Sequence, residues 1–395
     1  MPLPTTAIGS AAAALLALAA ADPALADDAP ALSLGAVYTA DITGVASGVR
    51  PRAGRYLDNL DLTADLDLEK AAGWRGAVLH AYVLNNSGAA PNDVAGTLQG
   101  IDNIEVARPR LRLFEAWVEQ TVGPTSVRAG LYNLNSEFYA NESAALLLNP
   151  SFGIGSELAA TGPNGPSIFP STALGARVNV DLGKGRYARA AMLNAESGVL
   201  GDPGGVDWSF NDGVLAIAEA GFDGPTRFSA GAWRYSKRQD DIRDINALGA
   251  PQRRHAHGAY VLGEQRMFGS DDGPEGHVFL RVGVSDGVTT PFRGGWQAGV
   301  LIARPLAGRP DSQLSLGLQQ GILNRRFREN LRDAGGRPAR AESGVELTYS
   351  DKLTSRITLQ PDLQWIRHAG GESRSKDRIV AALRLKIDLS PPTPE

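Results

Sequence analysis

The chain contains no cysteine. That removes disulfide frameworks, thiolate metal sites and cysteine nucleophiles, and it fits an oxidising compartment in which the fold is held without cross-links. Long apolar runs are missing as well. Beyond the first residues no segment reaches the roughly eighteen uninterrupted apolar residues of a membrane helix, so the protein crosses a membrane as strands or not at all. A large excess of one charge is also lacking: the formal net charge is -4, which excludes the basic footprint of a nucleic-acid partner. Of the five histidines, only His255-Ala256-His257 is spaced to hold a metal, and it has no helix-spaced partner. No metal and no cofactor are expected. Gly183-Lys184-Gly185 lacks the spacing of a phosphate loop and reads as a turn. No motif near His80 or His277 singles out a nucleophile, so the chain is not expected to be an enzyme.

What the sequence does have is period-two alternation. Ile357, Leu359, Pro361, Leu363 and Trp365 alternate with Thr358, Gln360, Asp362 and Gln364. Leu314, Leu316 and Leu318 alternate with Gln313, Ser315, Gly317 and Gln319, and Arg384, Lys386 and Asp388 interleave the apolar residues of 383–389 in the same way. Such patterning marks strands with one apolar and one polar face. A soluble sandwich would share it, so the start of the chain and the strand count must decide. Residues 8–21 form a short Ala/Leu run followed by Ala24-Leu25-Ala26, the small-x-small pattern of a signal-peptidase site. Residues 1–26 are therefore expected to be an export signal and 27–395 a single domain carrying a net charge of about -3 once Asp22 is removed.

Alternating segments fall at 34–40, 57–68, 75–84, 111–120 and 126–133, then around Leu174, Tyr187, Val214, Phe228, Tyr260, Val278, Trp296, Leu314, Val345, Ile357 and Ile379. These give an all-β fold, a transmembrane antiparallel barrel of about sixteen strands. Segments 181–185, 222–225 and 306–311 read as short periplasmic turns, and 236–256 and 324–340 as extracellular loops. After 126–133 the alternation stops. Residues 134–169 carry a short apolar run at 144–148 that needs a packing surface, so this connection is expected to fold back into the barrel and narrow it.

Alternation also assigns candidate lumen groups. Arg177, Arg227 with Ser229 and Trp233, His277 with Arg281, Glu346 with Thr348, and Arg384 with Lys386 take the inner face, as do Asp362 and Gln364. Glu115, Glu119, Arg112 and Arg128 are expected as opposed charged patches near the constriction, the alternative being that Glu115 and Arg128 pair across neighbouring strands to hold the wall. Arg112 and Glu115 cannot share a face of a regular strand, and a β-bulge would reconcile them. Glu137 and Glu142 are expected as loop-borne lumen groups. Mixed charge with Trp117 or Trp233 as an apolar platform suits a neutral polyhydroxy solute, while a general non-specific porin or a small-anion channel remains the alternative. Charged substitution at Gln319, Gln360 or Arg384 is expected to be nearly neutral to folding.

Residues 128–155, RAGLYNLNSEFYANESAALLLNPSFGIG, resemble the signature of the carbohydrate-selective porins of the OprB family. QGIDNIE at 99–105, LFEAWVEQ at 113–120 and VELTYSDKLTSRITLQPDLQWI at 345–366 extend the resemblance along the mature chain. It implies a sixteen-stranded barrel of the bacterial outer membrane, with a constriction loop at this position, through which glucose and related small neutral sugars diffuse passively. The implied partners are those sugars and outer-membrane lipid, with the chain a monomer or a homotrimer. One departure is the C-terminal sequence: family barrels are expected to end on an aromatic residue, whereas this chain runs on past Leu389 as Ser-Pro-Pro-Thr-Pro-Glu.

Overall fold

The computed structural model describes residues 30–49, 54–269 and 273–392. The expected export signal lies outside the described residues. Alternating segments become strands: β1 (Leu32–Ser47), β2 (Gly54–Asp67), β3 (Ala77–Gly88), β4 (Leu111–Val122), β5 (Thr125–Tyr132) and β6 (Ala173–Gly183). They continue as β7 (Arg186–Asn194), β8 (Val214–Phe222), β9 (Thr226–Tyr235), β10 (Gln239–Ile245), β11 (Pro251–Arg254) and β12 (His257–Phe268). The remainder are β13 (Glu275–Ser285), β14 (Phe292–Ala303), β15 (Gln313–Leu323), β16 (Ala341–Lys352), β17 (Ile357–Arg367) and β18 (Arg378–Asp388).

Sixteen of these strands close into one barrel, each paired with its sequence neighbours, with β1 meeting β18 and β9 meeting β12. Strands β10 and β11 form a separate hairpin inside the segment read from sequence as a plain extracellular loop. Closure satisfies the backbone groups of every wall strand, which a membrane demands because lipid supplies no hydrogen bonds. No helix among the described residues is long and apolar enough to cross a membrane, so the crossing is made by strands.

The pleat sorts side chains as the alternation requires. On β17, Pro361, Leu363 and Trp365 are exposed on the outside, while Gln360, Asp362 and Gln364 are buried inside. On β15, Leu316 and Leu318 face out, and Ser315, Gly317 and Gln319 face in. Phe222 and Phe228 lie on the outer surface near one rim, and Tyr56 and Trp365 near the other, the positions of the interfacial aromatic girdles of outer-membrane barrels.

One rim carries the shorter connections, 123–124, 184–185, 223–225, 304–312 and 353–356. The opposite rim carries 89–110, 133–172, 195–213, 236–256 and 324–340, and long connections mark the extracellular side.

Candidate functional site

Two extracellular connections turn into the barrel instead of standing above it. In the first, residues 133–172, side-chain oxygens of Asn133 and Asn149 accept the backbone N–H groups of Asn135 and Ser151 and so start the short turns Leu134–Ser136 and Pro150–Phe152. These caps are what an asparagine before a turn supplies. Phe138, Tyr139, Ile154 and Leu158 then pack against Leu193, Leu215, Ile217, Trp233, Tyr235, Tyr260 and Leu262 from the inner wall. Burial of this kind is worth about 1.5–3 kcal/mol per large side chain, and it makes that side of the interior dry.

A loop inside a barrel must also satisfy its backbone. Wall carboxylates do this in series. Glu115 accepts the N–H of Asn133 (3.0 Å), Glu219 that of Tyr139 (3.0 Å), Glu264 those of Glu142 and Ser143 (3.2 and 2.7 Å), and Glu346 those of Leu148 and Asn149, the latter at 3.0 Å. Carbonyls are met by Arg281, which donates to Tyr139 O, Gly153 O and Ser151 O, and by Gln360, which donates to Leu146 O at 2.7 Å. Glycines on the wall leave the room: a side chain at Gly283 would overlap Glu157 and the Tyr139 hydroxyl, and one at Gly317 would overlap Phe152 and Leu147.

The second inward connection, residues 89–110, was not anticipated from sequence. Glu342 accepts the N–H groups of Leu98 and Gln99, each at 3.0 Å. Gln364 donates to Ile101 O (2.8 Å), and Arg384 donates to Asn103 Oδ1 (2.7 Å) while holding Asp41 at 2.6 Å. Ile101 packs with Val45, Ala95, Ile366 and Val380.

The inner face of β2–β5 keeps partial solvent exposure and carries a linked polar row. Asp61 accepts from Tyr82 Oη and Asn59 Nδ2, both at 2.5 Å. Asp65 contacts His80 Nδ1 at 2.7 Å, and the His80 ring stacks on Trp117 with centroids 4.7 Å apart. From the other side the Arg128 guanidinium lies 3.7 Å from the Trp117 ring centroid. Arg128 and Arg177 share Glu119 (2.7 and 2.8 Å), and Arg177 reaches the loop residue Glu137 at 2.6 Å. Burial alone would raise the Glu137 carboxyl, but the Arg177 hydrogen bonds and the Arg128 charge outweigh it and hold the group below its usual range.

The structure thus places the candidate residues in four settings. Trp117, Glu119, Arg128, Arg177 and Glu137 come together on the β4–β6 wall. Arg112 and Glu115 both face inward because β4 bulges between Leu113 and Glu115 opposite Tyr82 and Val83; Arg112 donates to Pro170 O (2.9 Å) and Arg108 O (3.1 Å). Arg128 pairs with Glu119 rather than Glu115, which is occupied by the loop.

Trp233, Glu346, Asp362 and Gln364 point inward but are covered by the inward loops, Trp233 to 3% exposure. The expectation that Trp233 offers a solute an open ring face is corrected by this packing, and for Trp117 by the His80 and Arg128 covers. Glu142 is 86% exposed and meets Arg227 at 2.9 Å. It borders a cavity of about 710 Å³ near the short-connection rim, with Asp223, Glu264, Arg266 and His277 around it.

Gln360 and Arg384 are load points for the loops, so the expected tolerance there is corrected as well.

Residues 51–389 match the family described as carbohydrate-selective porins, OprB family. The chain belongs to that family. It is 23% identical over 376 residues to Porin B of Pseudomonas aeruginosa, covering 85% of this chain and 82% of that protein. It is 22% identical over 370 residues to the putative porin QuiX of Acinetobacter baylyi, covering 84% and 82%. The high-pH structure of Pseudomonas putida OprB superposes with a TM-score of 0.81 at 20% identity, over 91% of this chain and 94% of that one. An anion-selective porin from Comamonas acidovorans gives a TM-score of 0.55 at 11% identity, over 91% and 99%. The family and these relatives are porins, channels rather than enzymes, and the barrel is an integral protein of the bacterial outer membrane.

Proposed function

We propose that neutral sugars of the glucose type cross this porin along the β2–β5 wall, between the two inward loops, by passive diffusion. The observation that carries this reading is the pairing of the wall charges. Arg128, Glu119 and Glu137 keep partial exposure, and Arg177, itself buried, pairs with both carboxylates, so a solute meets fixed donors and acceptors of both kinds without a ring of one sign. A guanidinium presents several donors in one plane, a geometry that fits adjacent hydroxyl groups.

Planar-bilayer recording tests the proposal. Millimolar glucose is expected to block part of the current, and Arg128→Lys, which keeps a cation beside the Trp117 ring but loses the planar set of donors, to weaken that block more than it lowers conductance. Lys386, exposed on the inner face of β18, favours a second reading as a small-anion channel. A current carried mainly by chloride and indifferent to glucose would select it. One chain closes its own barrel, so a monomer is a complete channel in this proposal, and native mass spectrometry in detergent separates it from a homotrimer.

A further inference from the structure

Trp117 is the one tryptophan on the proposed path, yet neither face of its ring is open. His80 stacks on it from β3 at 4.7 Å with an interplanar angle of 18°, and Arg128 covers it from β5 at 3.7 Å. The indole N–H is also taken, donating to Glu115 at 3.1 Å. The two covers are held unequally. Arg128 is anchored by Glu119 at 2.7 Å, with Glu137 at 3.7 Å. Among the described residues His80 has one polar side-chain contact, its Nδ1 lying 2.7 Å from Asp65 Oδ1, and that carboxylate is 50% exposed.

A tryptophan face is the strongest apolar platform a protein can offer a ring-shaped solute. A channel, however, must bind weakly enough to release what it admits. We propose that His80 is a specificity-determining residue of this porin: by occupying the β3-side face of Trp117 it denies a sugar ring its stacking site and keeps binding weak and passage fast. The proposal rests on the reading that sugars cross beside the β2–β5 wall. In it, Asp65 is the positioning residue that holds the imidazole over the indole. Recognition is left to the hydroxyl-directed polar groups, and ring stacking is held in reserve.

The test is glucose block of the full-length porin in planar bilayers, with His80→Ala compared to the native chain. Opening the Trp117 face should lower the half-blocking glucose concentration roughly 2- to 10-fold, the range an aromatic contact contributes, and lengthen each blocking event. Sorbitol, which has similar hydroxyls but no ring, should block both proteins equally. Asp65→Ala, which unpins His80 without removing it, should give an intermediate shift. Unchanged or weaker glucose block by a His80→Ala barrel that still migrates as folded on unheated gels overturns the proposal, and so does an equal gain for sorbitol. His80→Cys treated with a charged thiol reagent separates the two levels of the argument. A fall in conductance places this wall in the current path, so that a failure of His80→Ala condemns only the masking role. No fall removes the path and the masking role together.

Discussion

The carboxylate of Glu346, on the inner face of β16, accepts the backbone N–H of Asn149 at 3.0 Å, and its other oxygen accepts that of Leu148. A wall side chain thus takes the place of a hydrogen-bonding partner strand for a loop that has none. Glu264 repeats the arrangement with Glu142 and Ser143, and Glu342 with Leu98 and Gln99. The loops are positioned by acceptors built into the wall, and the width of the passage depends on those acceptors.

Removing one acceptor should therefore widen the channel without opening the barrel. Glu264→Ala leaves two loop N–H groups without their partner, at a cost of about 1–3 kcal/mol for each donor left buried. Single-channel conductance is expected to rise and its distribution to broaden, with Glu264→Gln, which keeps one acceptor oxygen, in between. Conductance equal to the native value would show that the loop is held by its apolar packing alone.

Arg384 sits at the junction of the second inward loop and the wall, with Asp41 at 2.6 Å and Asp102 at 3.4 Å. Arg384→Met leaves two buried carboxylates without their cation. A loss of about 3–5 kcal/mol is expected, read as an earlier transition in detergent-monitored urea unfolding. The Asp41→Asn, Arg384→Met double variant should recover part of it.

The outer surface gives a contrasting pair. Leu316→Arg and Leu363→Arg place a charge against lipid and should each cost about 2–4 kcal/mol if they lie near mid-membrane. Lys386→Gln, on the exposed inner face, should leave folding unchanged and shift the reversal potential toward cation preference. Equal stability of all three in lipid-refolding titrations would contradict the assignment of faces.

Acidity should tighten the 89–110 loop. Burial, aided by the charges of Asp102 and Asp93 and opposed by the Asn92 N–H, pushes the Glu105 carboxyl up to about 7 from 4.5. A carboxyl raised in the folded state binds a proton more strongly there than in the unfolded chain, so its contribution to stability is complete below about pH 4.5 and is lost as pH rises through about 7. Hydrogen exchange of the amides near Asn92, corrected for intrinsic rate, should show more protection at pH 5 than at pH 8. Glu105→Gln should flatten that difference, and equal protection in the native chain at both pH values would refute the argument.

How much of this was legible in the sequence differs from residue to residue. The wall was readable because a side chain's face follows from its position alone: Leu363 out and Gln364 in needs only the period of two. The bulge in β4 was readable from a conflict, since Arg112 and Glu115 could not otherwise both turn inward. Coverage was not readable. Alternation gives Trp233 and Glu346 their direction but not the loop that lies over them, and the inward turn of 89–110 depends on Glu342, Gln364 and Arg384 from the far end of the chain. A signal was present in Gly283 and Gly317, glycines on inner faces where a strand would favour a larger side chain; they are sockets for Glu157, Tyr139, Phe152 and Leu147.

The seam between β1 and β18 joins residues such as Ala40 and Leu385. Every other wall pairing can form as its hairpin is completed, whereas this one waits for the last strand to arrive. Until then the first strand presents a raw edge of unpaired amides that lipid cannot tolerate. Assembly is consequently gated by its final step. A chain that stops short of β18 leaves the facing edges of β1 and β17 unpaired.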